Sequence, residues 1–168
     1  MPIAVDPTVQ LDTKLLRDPP RTPAIGTKVE RCGNPVAYTT STSYADLISI
    51  DLLPLNLPSL NGVIVLRARG YFDKFSTGVG YVRIVLVDSA GNVLVSSQEW
   101  SYSVSPNYLC LDEYTVWEGT LATARYAKLQ FRTADTDRAY AYGCVSGFCN
   151  AWPIALYVKA IPGVSLLQ

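Results

Sequence analysis

The stretch VRIVLVDSAGNVL, residues 82–94, reads as a β-hairpin. Val82, Ile84 and Leu86 alternate with Tyr81, Arg83 and Val85, a period of two that puts one set on each face of an extended strand. Asp88-Ser89-Ala90-Gly91-Asn92 is a turn in which glycine is free to take positive φ. The return over Val93–Glu99 closes the hairpin, and Trp100 and Tyr102 extend it or its exit. The same alternation recurs on both sides. Upstream, Ile48, Ile50 and Leu52 alternate with Ser49 and Asp51 until Pro54 and Pro58 break the run. Ile64, Leu66, Ala68 and Phe72 then alternate with Arg67, Arg69 and Tyr71. Downstream come strands around Leu109, Leu111, Val116 and Leu121, then Ala127, Leu129 and Phe131, and finally Ile154, Leu156, Val158 and Ala160. Residues 133–153 read as a long irregular connection. No helical period persists over a useful length, although Asp112–Glu118 leaves room for one helical turn. About eight strands with one apolar face each imply an all-β, two-sheet antiparallel sandwich, a jelly roll first and an immunoglobulin-like arrangement second.

The start of the chain alternates too. Ile3, Val5, Val9, Leu11 and Leu15 occupy odd positions, and Asp6, Thr8, Gln10, Asp12 and Lys14 even ones. Arg17-Asp18-Pro19-Pro20-Arg21-Thr22-Pro23 follows, a proline-rich spacer that favours extended geometry and holds the strand away from what comes next. The expected division is an N-terminal arm and spacer over 1–35 and a β-sandwich over 36–168. Such an arm suits insertion into a neighbouring molecule. Folding back as an ordinary edge strand, or fraying as a terminus, is the plainer outcome.

Composition narrows the function classes. Of 168 residues, 49% are apolar and only 17% charged, below the ~25% usual for soluble domains. Mean hydropathy is +0.16. Some apolar surface is therefore expected to be covered by partners. Fourteen basic and fourteen acidic residues cancel, which disfavours a general polyanion-binding surface and leaves little repulsion between copies. No apolar run is long enough for a membrane-spanning helix, and no charged start followed by an apolar stretch announces a secretory signal.

Cys32, Cys110, Cys144 and Cys149 contain no CxxC pair, and no histidine exists to complete a zinc site. Two disulfides are expected. Cys144 with Cys149 would close a short loop and Cys32 with Cys110 would pin the base of the arm, although three pairings are open. Disulfides imply an oxidising setting or a hyperthermophilic cell. Nine arginines among the fourteen basic residues, with eleven tyrosines and one methionine, fit a hot environment.

The absence of histidine removes Ser-His-Asp and Cys-His chemistry. Asp112, Glu113 and Glu118 form the nearest acid cluster, but adjacent strand residues point to opposite faces and so make no carboxylate pair. No enzyme and no cofactor is expected. Asp135 and Asp137 on one loop, and Asp88 and Asn92 on another, are weighed for Ca2+ against solvated turn residues. Arg67, Arg69, Tyr71, Tyr81, Arg83, Tyr126, Lys128 and Arg132 fall on outward faces, and on neighbouring strands they would form one contact surface. Trp100, Trp117 and Trp152, with Tyr102, Tyr108, Tyr140 and Tyr142, either line a sugar site or fill core and anchor loops, and the latter is preferred. The tail Ala160–Gln168 is apolar and asks for cover.

VRIVLVDSAGNVL (82–94) and IALYVKAI (154–161) resemble segments of carbohydrate-binding jelly rolls. In organisation, the arm-plus-sandwich plan resembles filament subunits that exchange donor strands and viral jelly-roll proteins with N-terminal arms. That resemblance implies an arm pairing with an exposed sheet edge of an adjacent subunit. The expected function is a self-assembling structural subunit of a virion or extracellular filament, head-to-tail with copies of itself. Its contact residues would be Ile3, Val5, Val9, Leu11, Leu15, Arg67, Arg69, Tyr71 and Arg83. Nucleic acid is disfavoured as a partner, and the alternative is a carbohydrate-binding or adhesive module.

Overall fold

A computed structural model describes residues 23–166, so Ile3, Val5, Val9, Leu11 and Leu15 lie outside the described residues. Eleven strands build two antiparallel sheets: β1 (Ile25–Arg31), β2 (Gly33–Thr39), β3 (Ala45–Asp51), β4 (Asn61–Lys74), β5 (Gly80–Val87), β6 (Val93–Ser96), β7 (Trp100–Tyr102), β8 (Leu109–Thr120), β9 (Tyr126–Thr133), β10 (Ala139–Gly143) and β11 (Ile154–Pro162). Several strands share a row. The long β4 pairs with β11 along residues 62–69 and with β10 along 71–74. Strands β1 and β2 continue that division one row further out, on β11 and β10 respectively. Strands β6 and β7 likewise pair with successive parts of β5.

Eight rows result. The first sheet runs β1/β2, β11/β10, β4, β8, and the second runs β3, β9, β5, β6/β7. In chain order these are rows 1-8-3-6 and 2-7-4-5. Only rows four and five, the hairpin of residues 82–94, are consecutive in sequence and paired in one sheet. Every other step crosses to the opposite sheet or to a distant row, which is the double Greek key of a jelly roll.

The core lies between the sheets, as the alternation predicts. Ile64, Leu66, Ala68 and Phe72 of β4 and Leu156 and Val158 of β11 meet Val82, Ile84 and Leu86 of β5 and Leu129 and Phe131 of β9, all buried.

Three expectations need correction. Residues 25–35, placed with the spacer, are the outer row of the first sheet. Their inward side chains Ile25, Thr27, Val29 and Arg31 mix polar with apolar, because an outer row covers only the rim of the core. Asp112–Glu118 holds no helical turn and lies within β8, in unbroken register with β4. The connection 133–153 contains β10, whose inward residues Ala139 and Ala141 are small and whose outward residues Tyr140 and Tyr142 are large, so its alternation is hidden. Gly143 ends β10 where a Cβ would stand 2.2 Å from the Arg31 carbonyl oxygen, so the chain turns there only as glycine.

Candidate functional site

The outer face of the first sheet concentrates the polar chemistry. Register places Tyr157, Arg67 and Tyr114 in one cross-strand line, and Ala155, Arg69 and Asp112 in the next. Arg67 grips Asp112 with two bonds, Nε at 2.7 Å and Nη2 at 2.9 Å, and Arg69 Nη2 adds a third at 3.0 Å. Bidentate guanidinium–carboxylate pairing is the strong form of this contact. The Arg67 guanidinium, with Arg69 behind it, holds the Asp112 carboxyl down to about 2. Arg69 also lies over the Trp152 ring at 4.9 Å. Tyr157 donates to Glu30 at 2.7 Å.

A pH dependence follows. A carboxyl whose folded pKa is depressed contributes stability above its unfolded value, near 4. That contribution is lost as pH falls through the folded value. Asp112 and Asp135 both sit at about 2 in the fold, the latter chiefly through Lys74. The melting temperature is expected to be level above pH 5 and to fall between pH 4 and 2, with a shallower fall in Asp112→Asn. A level profile down to pH 2.5 in the unsubstituted chain would contradict this assignment.

Beside the ion cluster runs a strip of packed rings. Tyr71 is sandwiched by Tyr142 at 4.9 Å and Phe148 at 4.9 Å, and Tyr108 packs edge-on against Tyr71 at 5.3 Å. Tyr140 continues the strip to Tyr38 at 6.0 Å and Phe75 at 6.4 Å. Phe148 comes from a strap, residues 144–152, that crosses the sheet over β4. Both ends of the strap are tied: Cys144 to Cys32 in the outermost row, and Cys149 to Cys110 on β8. The expected Cys144–Cys149 and Cys32–Cys110 pairings are therefore corrected. Register puts Cys110 opposite Tyr71 on the outer face, beneath the strap. Within the strap Cys144, Cys149, Asn150 and Ala151 all have positive φ, at 61°, 46°, 52° and 53°. Side-chain-bearing residues adopt that region at a cost of roughly 1–2 kcal/mol each, so the anchors hold a strained backbone.

The second sheet has its own dressed face. Lys128 pairs with Asp46, Arg132 with Glu99 and Arg125 with Asp51. Arg83 lies over the Tyr44 ring at 3.8 Å, and Arg132 over Tyr81 at 4.2 Å. Tyr44 donates to Glu99; burial and that carboxylate push its hydroxyl up to about 12. The eight residues expected on one Arg/Tyr surface are thus split. Arg67, Arg69 and Tyr71 face outward from the first sheet, whereas Tyr81, Arg83, Tyr126, Lys128 and Arg132 face the opposite way from the second. Sequence alternation gives the side of a strand but not the sheet that holds it.

Trp100 and Trp117 are half-buried against the core and Tyr102 is buried, as preferred from sequence. Trp152, Tyr108, Tyr140 and Tyr142 stand on the first outer face, where most rings cover one another and their tilts make no flat platform. Asp88 accepts from the backbone of Ala90 and Asn92 and from the Asn92 side chain, closing its own turn. Asp135 belongs to a cluster that the sequence does not announce. Lys74 ends β4 pointing inward, with its side chain fully buried, and donates to Asp135 at 2.6 Å and to the Asp137 carbonyl at 3.0 Å. Thr133 donates to the same carboxylate at 2.8 Å. Gly78, at φ 118°, leaves room for it, since a Cβ there would stand 1.9 Å from Asp135 Oδ2. The signal was present as an even-numbered lysine in the alternation of β4, on the apolar side. Among the described residues no cluster of three metal-ligating side chains occurs, and no helix is long and apolar enough to cross a membrane.

Row order defines the class: a jelly-roll β-sandwich carrying a disulfide-tied strap on one face. No protein-family model matches the chain, and no curated protein does. Among solved structures, the T13 viral particle of infectious bursal disease virus is similar over 86% of this chain and 37% of its own, at 10% identity and a TM-score of 0.42. The VP2 subviral particle of that virus gives 86%, 39%, 10% and 0.41. The CBM22-1 xylan-binding domain of Paenibacillus barcinonensis Xyn10C gives 81%, 100%, 8% and 0.37. The chain thus spans well under half of the viral chains it resembles. Likeness of this degree carries no argument about activity, and the fold rests on the row order itself.

Proposed function

We propose that this chain is a structural subunit that joins copies of itself into a shell or filament, the arm at residues 3–16 of one copy adding as a strand to the sheet of the next. One observation carries the reading. Residues 23–166 supply all eight rows of the jelly roll and the buried core between its sheets, so the alternating segment before them is not needed to complete a row. The chain also enters the sandwich in its outermost row, at Ile25, which starts the arm from a sheet edge. Strand addition gives backbone hydrogen bonds for affinity and alternate side chains for specificity. Burying Val5, Val9, Leu11 and Leu15 at roughly 1.5–3 kcal/mol each contributes several kcal/mol before ordering costs. Two disulfides fit an oxidising place of work, a virion or the cell exterior. Arg67, Arg69, Tyr71 and Arg83 remain the proposed secondary contacts, now on two opposite faces. No chemistry is assigned to Arg67 and Arg69, whose carboxylate partner Asp112 is already held by both.

Removing residues 1–22 tests the proposal. The truncated chain is expected to keep its cooperative melt and lose assembly, read by light scattering and electron microscopy. Undiminished assembly, or a truncated chain that no longer folds, would refute it. Binding to xylan or another polysaccharide that survives truncation would favour the carbohydrate-binding alternative instead.

A further inference from the structure

Resting on the strand-addition reading above, we infer that the arm's acceptor is the free edge of β8, Leu109–Thr120, in a second copy of the chain. Among the described residues four rows end the sheets, and three are poor templates. The β1/β2 row is interrupted at Cys32 and contains Pro35, which has no N–H to donate. Strand β3 has seven residues and slips register between Asp46 and Ile48. Strands β6 and β7 are four and three residues long. Such interruptions are how proteins blunt an edge.

The β8 edge is long and unbroken, and its one blunting feature is Glu113, which register puts opposite buried Ala68 on the inward face. It pairs with β4 through twelve consecutive residues, Thr120 opposite Asn61 to Leu109 opposite Phe72, without a shift. It contains no proline and no lysine. Twelve residues of strand extend about 40 Å, and the fourteen residues of the arm between 3 and 16, of which Pro7 has no N–H to donate, cover that length.

The flank of the sandwich beside β8 is apolar at its two ends, with Glu113 and Thr115 on the inward face between them. Leu109 and Trp117 of β8 and Leu94, Val95 and Trp100 across the gap are only partly buried, and Val93 is 55% exposed. A strand laid along β8 with its odd-numbered apolar residues inward closes that flank. Its even-numbered polar residues then continue the outer face.

Donor and acceptor lie at opposite margins of one sheet. With the order β1, β11, β4, β8, three strand spacings, about 14 Å, separate them. Copies joined this way meet margin to margin, head to tail, and the contact repeats into a ring or an open filament.

The test uses the full chain with p-benzoylphenylalanine replacing Val9, co-assembled with isotopically heavy unsubstituted chain, irradiated, digested and read by mass spectrometry. A second probe at Leu11 covers the case in which the first variant fails to assemble. The expected result is light–heavy cross-links, more than half of them on residues 109–120. Light–heavy cross-links concentrated on another strand would overturn β8 as acceptor while leaving strand addition standing. Cross-links confined to one chain, or none from either probe, would overturn both.

Discussion

Asp135→Ala is expected to destabilise the sandwich by about 3–5 kcal/mol, while Lys74→Met costs less than about 1.5 kcal/mol. The asymmetry comes from where each partner sits. The Lys74 side chain is fully buried, whereas that of Asp135 is 37% exposed. Removing the carboxylate leaves an ammonium inside the protein with the Asp137 carbonyl as its remaining acceptor. An uncompensated buried charge is among the few defects with an effect of that size. Removing the lysine instead leaves a carboxylate that turns to water and keeps its bonds from Thr133 and the Asp137 backbone. Methionine keeps most of the lysine stem's volume and brings no charge. Denaturant titration of both variants decides the matter. Equal losses, or a loss below 1 kcal/mol for Asp135→Ala, would mean that Lys74 reaches solvent.

The second large effect is expected at the strap. Constraining an unfolded loop stabilises by an amount that grows with loop length. Separations of 112 residues for Cys32–Cys144 and 39 for Cys110–Cys149 correspond to about 5 and about 4 kcal/mol in the chain-entropy treatment. The smaller effect is reduced further. Freeing Cys149 lets three positions, 149 to 151, leave positive φ, whereas freeing Cys144 releases one, each recovering roughly 1–2 kcal/mol. Replacing Cys32 and Cys144 together by alanine should therefore destabilise clearly more than replacing Cys110 and Cys149. The latter pair should still free Phe148 from Tyr71, visible as a change in near-ultraviolet circular dichroism. The opposite order of stabilities would show that native geometry, not the unfolded chain, sets the contribution of these bonds.

Strands with large apolar side chains inside are legible in the sequence because period-two alternation is a local property. β4, β5, β9 and β11 are all of this kind, and among the described residues the hairpin at 82–94 is the one pairing between rows that are neighbours in the chain. β10 escapes for a local reason: its buried residues are alanines and its exposed ones tyrosines, so hydropathy points the wrong way. β1 and β2 escape because an outer row buries little. The strap's disulfides escape because Cys110 and Cys149 stand 39 residues apart and are brought together by the packing of β8 and the strap against β4.

Residue order alone determined the class, an all-β sandwich in a chain without histidine. Which sheet each strand joined, and hence which arginines and tyrosines share a face, which cysteines pair and where Lys74 finds its carboxylate, was decided by the tertiary structure. The reason is physical. Alternation is set by backbone geometry over a few residues, whereas row order in a jelly roll is set by contacts between segments far apart in the chain.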